Sequence, residues 1–308
     1  MTAVLIALLL VVGVAAALGL WVSRRAHALP PNAPRRFVAE KQRQPGKQVL
    51  ACLGDSITHG RASFSWVDLL AERVGPRGAQ VINAGLTSDL AYSARQRLPE
   101  VIACEPDAVV VLVGTHDVLA TTSLEREARY RKTKQLPPVQ LTREWYREHL
   151  NGIVTDLRQR TRARIALCSL PMLGEKLDSP INQRVREYNE VVREVAREHV
   201  LMYLPVHEDL TRFLEKERGA AGRDLGDSGW PLVKTLLQHY LLRMDWNRVA
   251  DANGYFLCTD GIHLNRRAGE RIADLVQAFL LAQGLLEDPV EAAQPPASGE
   301  RREEPTRG

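Results

Sequence analysis

Five short apolar runs alternate with longer amphipathic stretches between residues 48 and 206, and this alternation constrains the fold more than any other feature. The runs are QVLACLG (48–54), AQVINAG (79–85), DAVVVLVG (107–114), ARIALCSLP (163–171) and VLMYLPV (200–206). Runs of this length are typical of buried strands, whereas the stretches between them show the periodicity of helices with one apolar face. Strands that alternate with helices usually pair in parallel, and the helices cover both faces of the sheet. The pattern predicts an α/β domain with a five-stranded parallel sheet, spanning residues 48–286.

The first 23 residues are predicted to form a membrane anchor. Ala3 to Val22 are twenty consecutive uncharged residues, and a helix of that length crosses roughly 30 Å of hydrocarbon. A cleaved signal peptide, with AHA at residues 26–28 as the cleavage site, is the alternative, but the positive charges follow the apolar run instead of preceding it. Basic residues after the run favour a single-pass protein with its main domain on the cytoplasmic side. An extracytoplasmic domain is the alternative.

Two further segments flank the main domain. Residues 24–47 are interpreted as a basic, Pro-rich linker, which we expect to be attracted to anionic lipid headgroups. Residues 287–308 are poor in apolar side chains and are predicted to be disordered. The net charge of +4 owes its excess to the linker, and because no nucleic-acid-binding signature accompanies it, nucleic acid is not a predicted partner. The sequence does not determine an oligomeric state.

The four cysteines predict free thiols. Cys52, Cys104, Cys168 and Cys258 form no CxxC pair, and three of them lie in apolar surroundings, which favours buried thiols over metal ligands or disulfides. Such thiols fit a reducing compartment. The chain has no Gly-rich phosphate loop and no HExxH motif, so neither a metal nor a cofactor is predicted.

Polar motifs follow the predicted strands, at the edge of a parallel sheet where ligands bind. They are Gly54-Asp55-Ser56, Asn83-Ala84-Gly85, Gly114-Thr115-His116-Asp117 and, late in the chain, Asp260-Gly261-Ile262-His263. A serine hydroxyl becomes nucleophilic when a neighbouring base takes its proton, and neutral histidine is that base near pH 7. An aspartate three residues before the histidine can accept its Nδ1 proton and fix the tautomer. A glycine after a strand and a residue at a helix start can supply N–H groups to an oxyanion.

On these four blocks, the segment from Gln48 to about Leu281 resembles the SGNH hydrolases, the family of GDSL-type esterases and lipases, with Ile57 where the family name has leucine. The resemblance implies a three-layer, flavodoxin-like α/β/α fold. It implies Ser56 as the nucleophile and Asp260 and His263 as the other members of a catalytic triad. It also implies oxyanion donors from the Ser56 backbone and from Gly85.

The third block departs from the family, because His116 stands where the resemblance implies an asparagine. An imidazole N–H can donate a hydrogen bond as an asparagine amide does, so our hypothesis is that His116 is an oxyanion donor. The alternatives are that His116 only packs beside a less efficient site, or that the pocket binds ligands without turnover. Asp55 and Asp117 are expected to make hydrogen bonds that hold the loops around the site, with a helix-cap or turn role as the alternative.

These observations predict a membrane-anchored serine esterase that acts on small or lipid-derived acyl esters. One alternative is an acyltransferase that passes the acyl group to a sugar or another alcohol. An alternative of another class is an inactive ligand-binding domain. The long segment 207–258 is interpreted as a helical insertion whose apolar stripe (Leu232, Leu236, Tyr240 and Met244) packs on the core, or else caps the pocket.

Overall fold

A single parallel sheet forms the centre of the molecule. The structure is a computed structural model, and it describes Gly13 and residues 17–219, 222–226 and 230–286. The strand order is β2-β1-β3-β4-β5, and every neighbouring pair is parallel. The strands are β1 (Gln48–Gly54), β2 (Ala79–Gly85), β3 (Ala108–Leu112), β4 (Arg164–Cys168) and β5 (Met202–Leu204). The predicted five-stranded parallel sheet is therefore confirmed.

The strand order places a topological switch beside β1. The chain runs from β1 to β2 on one side and then returns to β3 on the other. The carboxyl ends are level, because Gly54 pairs with Gly85 of β2 and with Leu112 of β3. Ligand sites of open α/β sheets lie at this kind of position, and the segments after β1 and β3 carry Ser56 and His116.

Helices cover both faces of the sheet. One core contains Val49, Ala51 and Leu53 with Leu150 and Val192, while the other contains Leu50, Cys52, Trp66, Leu210 and Ile272. Alternate residues of β1 thus enter opposite cores, as strand geometry requires. In the described part of the chain the helices are α1 (17–27), α2 (Pro34–Ala39), α3 (Ser56–His59), α4 (Trp66–Val74), α5 (Ala91–Gln96), α6 (Leu98–Ile102), α7 (Thr115–Ala120), α8 (Leu124–Lys134), α9 (Arg143–Arg160), α10 (Pro180–Glu198), α11 (Val206–Arg218), α12 (Trp230–Leu236), α13 (Trp246–Ala252) and α14 (Arg266–Ala282).

The segment predicted to be a linker packs on the domain. Phe37 of α2 is buried in the same core as β1, and Asn32 binds the edge of β2, donating from Nδ2 to the Val81 carbonyl at 2.8 Å and accepting from the Asn83 N–H at 3.1 Å. The segment 24–47, interpreted as a basic, Pro-rich linker, thus includes a part, α2 and its approach, that packs on the sheet. Apolar burial and edge pairing hold this part to the sheet, and composition alone does not reveal either.

Most of the predicted anchor, and the predicted disordered tail at 287–308, lie outside the described residues. Within the described part of the chain, no helix is both long enough and apolar enough to cross a membrane. The end of α1 instead carries Val22 and Ala26, which are buried against Leu236.

The segment 207–258 is largely helical and contributes α11, α12, a π-helical turn at Leu237–Leu241 and α13. Its apolar stripe packs beside α1, since Leu232, Leu236 and Tyr240 contact the cluster that contains Val22 and Ala26. The Tyr240 hydroxyl also donates to the Arg61 carbonyl at 2.7 Å.

Candidate active site

Ser56 lies at the first position of α3, in a sharp turn from strand to helix. A Cβ on Gly54 would come within 2.2 Å of Thr58 Oγ1 and 2.4 Å of the Leu112 carbonyl, so only glycine fits there. Asp55 caps α3 by accepting the Ile57 N–H at 3.0 Å. The Ser56 N–H is then left at the helix N-terminus, and no acceptor pairs with it among the described residues. Such an N–H favours negative charge in front of it.

Asp260, His263 and Ser56 form a continuous hydrogen-bonded chain. Ser56 Oγ lies 3.0 Å from His263 Nε2, and His263 Nδ1 lies 2.8 Å from Asp260 Oδ2. The other oxygen of Asp260 accepts the N–H groups of Ile262 at 3.0 Å and His263 at 2.8 Å. All three side chains are buried, with Ser56 only 1% exposed.

The pKa shifts of His263 and Asp260 suit a general base at His263. Burial alone would lower the pKa of His263, but the charge of Asp260 and its hydrogen bond outweigh burial and raise that pKa above its ordinary value. Burial would likewise raise the pKa of Asp260, yet the charge of His263 and the hydrogen bonds to it and to its backbone lower the pKa. Asp260 is therefore an ionised acceptor that stabilises an imidazolium on His263.

His116 also lies within hydrogen-bond distance of the Ser56 hydroxyl. It lies in the first turn of α7, directly after β3, with its Nε2 3.3 Å from Ser56 Oγ. Its Nδ1 lies 2.6 Å from the hydroxyl of Tyr130. Burial, with the positive charges of His263 and Lys134, lowers the pKa of His116 to about 3. His116 is thus a neutral imidazole over the whole range in which His263 titrates.

The predicted role of Gly85 does not fit its geometry. The Gly85 N–H donates to Asn83 Oδ1 at 3.0 Å, so this hydrogen is already paired. Glycine is needed here for packing, because a Cβ would lie 2.2 Å from the His59 nitrogen.

Asp117 makes a hydrogen bond that connects two segments beside the site, whereas Asp55 has the alternative role of a helix cap. Asp117 accepts the Ala91 N–H at 3.0 Å and so connects α7 to the start of α5. Burial raises the pKa of Asp55 to about 6, and burial together with the nearby charge of Asp55 raises the pKa of Asp117 well above its usual value. These two carboxyls therefore resist ionising together.

Comparison with known proteins assigns the chain to a family. Residues 52–271 match the GDSL-like Lipase/Acylhydrolase family. The chain belongs to this family. Family membership makes it an ester-hydrolysing enzyme, and it confirms the resemblance seen in the four motif blocks. No protein of curated function matches the sequence.

Solved structures with the same fold include esterases. An acetyl xylan esterase, AlAXEase, superposes with a TM-score of 0.56 at 18% identity, covering 75% of this chain and 99% of the esterase. A lipase/acylhydrolase from Enterococcus faecalis gives 0.51 at 20% identity, with 78% and 97% covered. An acetylxylan esterase from Geobacillus stearothermophilus gives 0.52 at 20% identity, with 78% and 94% covered. At these identities, the likeness establishes a shared fold.

Within this GDSL-like fold, three residues near the site carried no signal in the sequence. Glu175 is buried and accepts the N–H groups of Phe256, Leu257 and Cys258 at 2.6–2.9 Å, just before the Asp260 block. Tyr130 and Lys134 come from α8, where they sit among exposed charged residues and resemble a solvated helix face.

All four cysteines are buried free thiols, as predicted. In the described part of the chain, no cluster of three or more His, Cys, Asp or Glu side chains is placed to hold a metal ion.

Proposed function

We propose that this enzyme is a serine esterase that works through an acyl-enzyme on Ser56. The chain Asp260–His263–Ser56, with links of 2.8 and 3.0 Å, carries the proposal. Ser56 Oγ bonds to the ester carbonyl carbon while His263 Nε2 takes the hydroxyl proton. His263 then gives that proton to the departing alcohol as the C–O bond breaks. Water attacks the acyl-enzyme by the reverse route, and the acid is released.

The oxyanion formed at each attack needs donors that are in place beforehand. The unpaired Ser56 N–H at the start of α3 is one, and the Nε2 side of neutral His116 is a second. The Gly85 N–H is not counted among these donors, because Asn83 Oδ1 already accepts it.

The burial of Ser56 favours short acyl groups over long lipid-derived chains. Because Ser56 is only 1% exposed, little room is left around its hydroxyl for a bulky acyl group. Acetyl esters are therefore the first substrates to test, and acetylated xylo-oligosaccharides extend the test to carbohydrate esters. The intact triad geometry supports turnover over the alternative of a binding domain. Acyl transfer uses the same residues and differs only in the acceptor.

The test compares wild type and Ser56→Ala with p-nitrophenyl acetate and butyrate. We expect wild-type turnover to disappear in Ser56→Ala and to persist in Ser63→Ala, a control that removes a buried hydroxyl without a described hydrogen-bond partner. A glycerol ester formed when glycerol is added would identify acyl transfer. Equal background rates in wild type and Ser56→Ala, over both chain lengths, would refute the esterase proposal.

We also propose that residues 3–22 anchor the enzyme in a membrane, with the domain on the cytoplasmic side. The twenty uncharged residues support this proposal. Because Val22 and Ala26 pack on Leu236, the domain would begin directly where the proposed anchor ends. The expected result is that alkaline carbonate leaves the protein in the membrane fraction, while protease added outside intact cells leaves the domain uncut. Release by carbonate would contradict the anchor, and cleavage would contradict the orientation.

A further inference from the structure

Helix α8 brings one side chain against the imidazole that replaces asparagine. The hydroxyl of Tyr130 lies 2.6 Å from His116 Nδ1, and the Tyr130 ring packs on a cluster of Leu90, Ala120, Leu136 and Leu141. Four residues further along α8, Lys134 donates to the Thr87 carbonyl at 2.7 Å and to Asp89 at 2.8 Å. The two hydrogen bonds of Lys134 hold α8 in place, and α8 in turn holds Tyr130 beside the site.

The direction of every hydrogen bond in the site follows from counting protons. The carboxylate of Asp260 only accepts, so His263 Nδ1 carries a proton and, in the resting neutral state, Nε2 is bare. The hydroxyl proton of Ser56 must then point to His263 Nε2. That leaves only lone pairs of Ser56 Oγ facing His116, so His116 Nε2 has to donate.

The same proton assignment fixes the direction of the hydrogen bond between Tyr130 and His116. A neutral imidazole has one N–H, and if Nε2 carries it, Nδ1 is an acceptor. The Tyr130 hydroxyl must therefore donate to Nδ1, the only hydrogen-bond partner it has among the described residues. The opposite tautomer would present a bare Nε2 to the lone pairs of Ser56, and also to the oxyanion.

We propose that Tyr130 is a positioning residue that holds His116 in the Nε2–H tautomer, so that a neutral imidazole serves as an oxyanion donor in place of an asparagine amide. The inference rests on the proposed function of His116 as a donor to the oxyanion. Tyr130 itself touches neither Ser56 nor the ester. Its hydroxyl acts through His116, as partners behind metal-bound histidines fix their tautomers.

The tautomer can be observed directly, without turnover. In the full-length protein in detergent micelles, labelled with ¹⁵N-histidine, the ring-nitrogen signals that vanish in His116→Asn belong to His116. We expect the wild type to show a protonated Nε2 and a bare Nδ1. Tyr130→Phe should shift this pattern towards the Nδ1–H form, whereas Tyr203→Phe should not, although it also removes a hydroxyl hydrogen bond of 2.6 Å, to Glu208. A protonated Nδ1 in the wild type would overturn the proposal even if Tyr130→Phe fails to fold.

A double-mutant cycle tests the consequence for catalysis. Loss of this one hydrogen bond is expected to lower kcat about tenfold in Tyr130→Phe, with a smaller change in KM. In a His116→Asn background, Tyr130→Phe should have no further effect, because an amide has no tautomer to fix. An equal tenfold loss in both backgrounds would show a general structural role and overturn the inference. If Ser56→Ala retains full activity, the proposed esterase mechanism fails, while the nitrogen spectrum still reports the His116 tautomer.

Discussion

Glu175 is a buried carboxylate that contacts none of Ser56, Asp260 and His263, yet its removal should disturb the site that they form. Its oxygens accept three consecutive backbone N–H groups, those of Phe256, Leu257 and Cys258, and the chain reaches Asp260 two residues later. Alanine would leave three buried donors unpaired at about 1–3 kcal/mol each, which approaches the whole stability of a domain. Glutamine is the informative change, because it keeps one acceptor oxygen and removes the charge.

The magnitude for Glu175→Gln follows from the three bonds. A hydrogen bond to a charged group contributes about 1 kcal/mol more than a neutral one, so the free energy of unfolding should fall by about 3 kcal/mol. For a domain of this size, that corresponds to a loss of about 6–12 °C in Tm. Urea and thermal unfolding followed by circular dichroism measure the change, and kcat should fall because the loop carrying His263 is less well held.

The matched control is Glu217→Gln on the exposed surface of α11, which removes a charge without a buried partner. Its Tm and kcat should equal those of the wild type. If Glu175→Gln unfolds at the same urea concentration as the wild type, the carboxylate does not organise this loop and our reasoning is refuted.

Three further predictions concern the oxyanion donor, the general base and the N-terminal segment. His116→Ala should lower kcat about 10²- to 10³-fold, while His116→Asn should stay within about tenfold of wild type, and full activity of His116→Ala would exclude the donor role. The value of kcat/KM should fall as the pH drops through the raised pKa of His263, because protonated His263 cannot accept the Ser56 proton. The midpoint of this pH profile should be the same in His116→Asn, since His116 stays neutral down to about pH 3. Phe37→Ala should reduce the free energy of unfolding by about 3 kcal/mol, whereas Val38→Ala, at a side chain 44% exposed, should change it little, and equal losses in calorimetry would contradict the packing of α2.

The sheet was predictable because its information is local. Each strand is an apolar run closed by small or polar residues, so β1 and β2 appear in the sequence with the bounds that the structure has. The three residues of the proposed triad were also recognisable, because they lie in the motif blocks that resemble those of the SGNH hydrolases.

Features that depend on contacts distant in sequence were missed. Glu175 binds backbone groups more than 80 residues away, and nothing in its neighbourhood distinguishes it from a surface carboxylate. Gly85 looked like an oxyanion donor because glycine after a strand permits close approach, but here the close approach is to His59, and the Gly85 N–H is paired with Asn83 Oδ1. Phe37 appeared in a basic, Pro-rich stretch, where one aromatic residue gave no sign that it is buried.

The contact of Asn32 with β2 bears on solubility. β2 is an outer strand of the sheet, and an uncovered outer strand offers unpaired N–H and C=O groups to other molecules. Asn32 occupies two of those groups, and Gln80 on the same strand is bound by Gln42 and Gln44. A shortened protein that begins at Gln48 would keep Ser56, Asp260 and His263 and yet expose this strand. Such a protein is prone to associate edge to edge, and the residues that prevent this lie before the first strand.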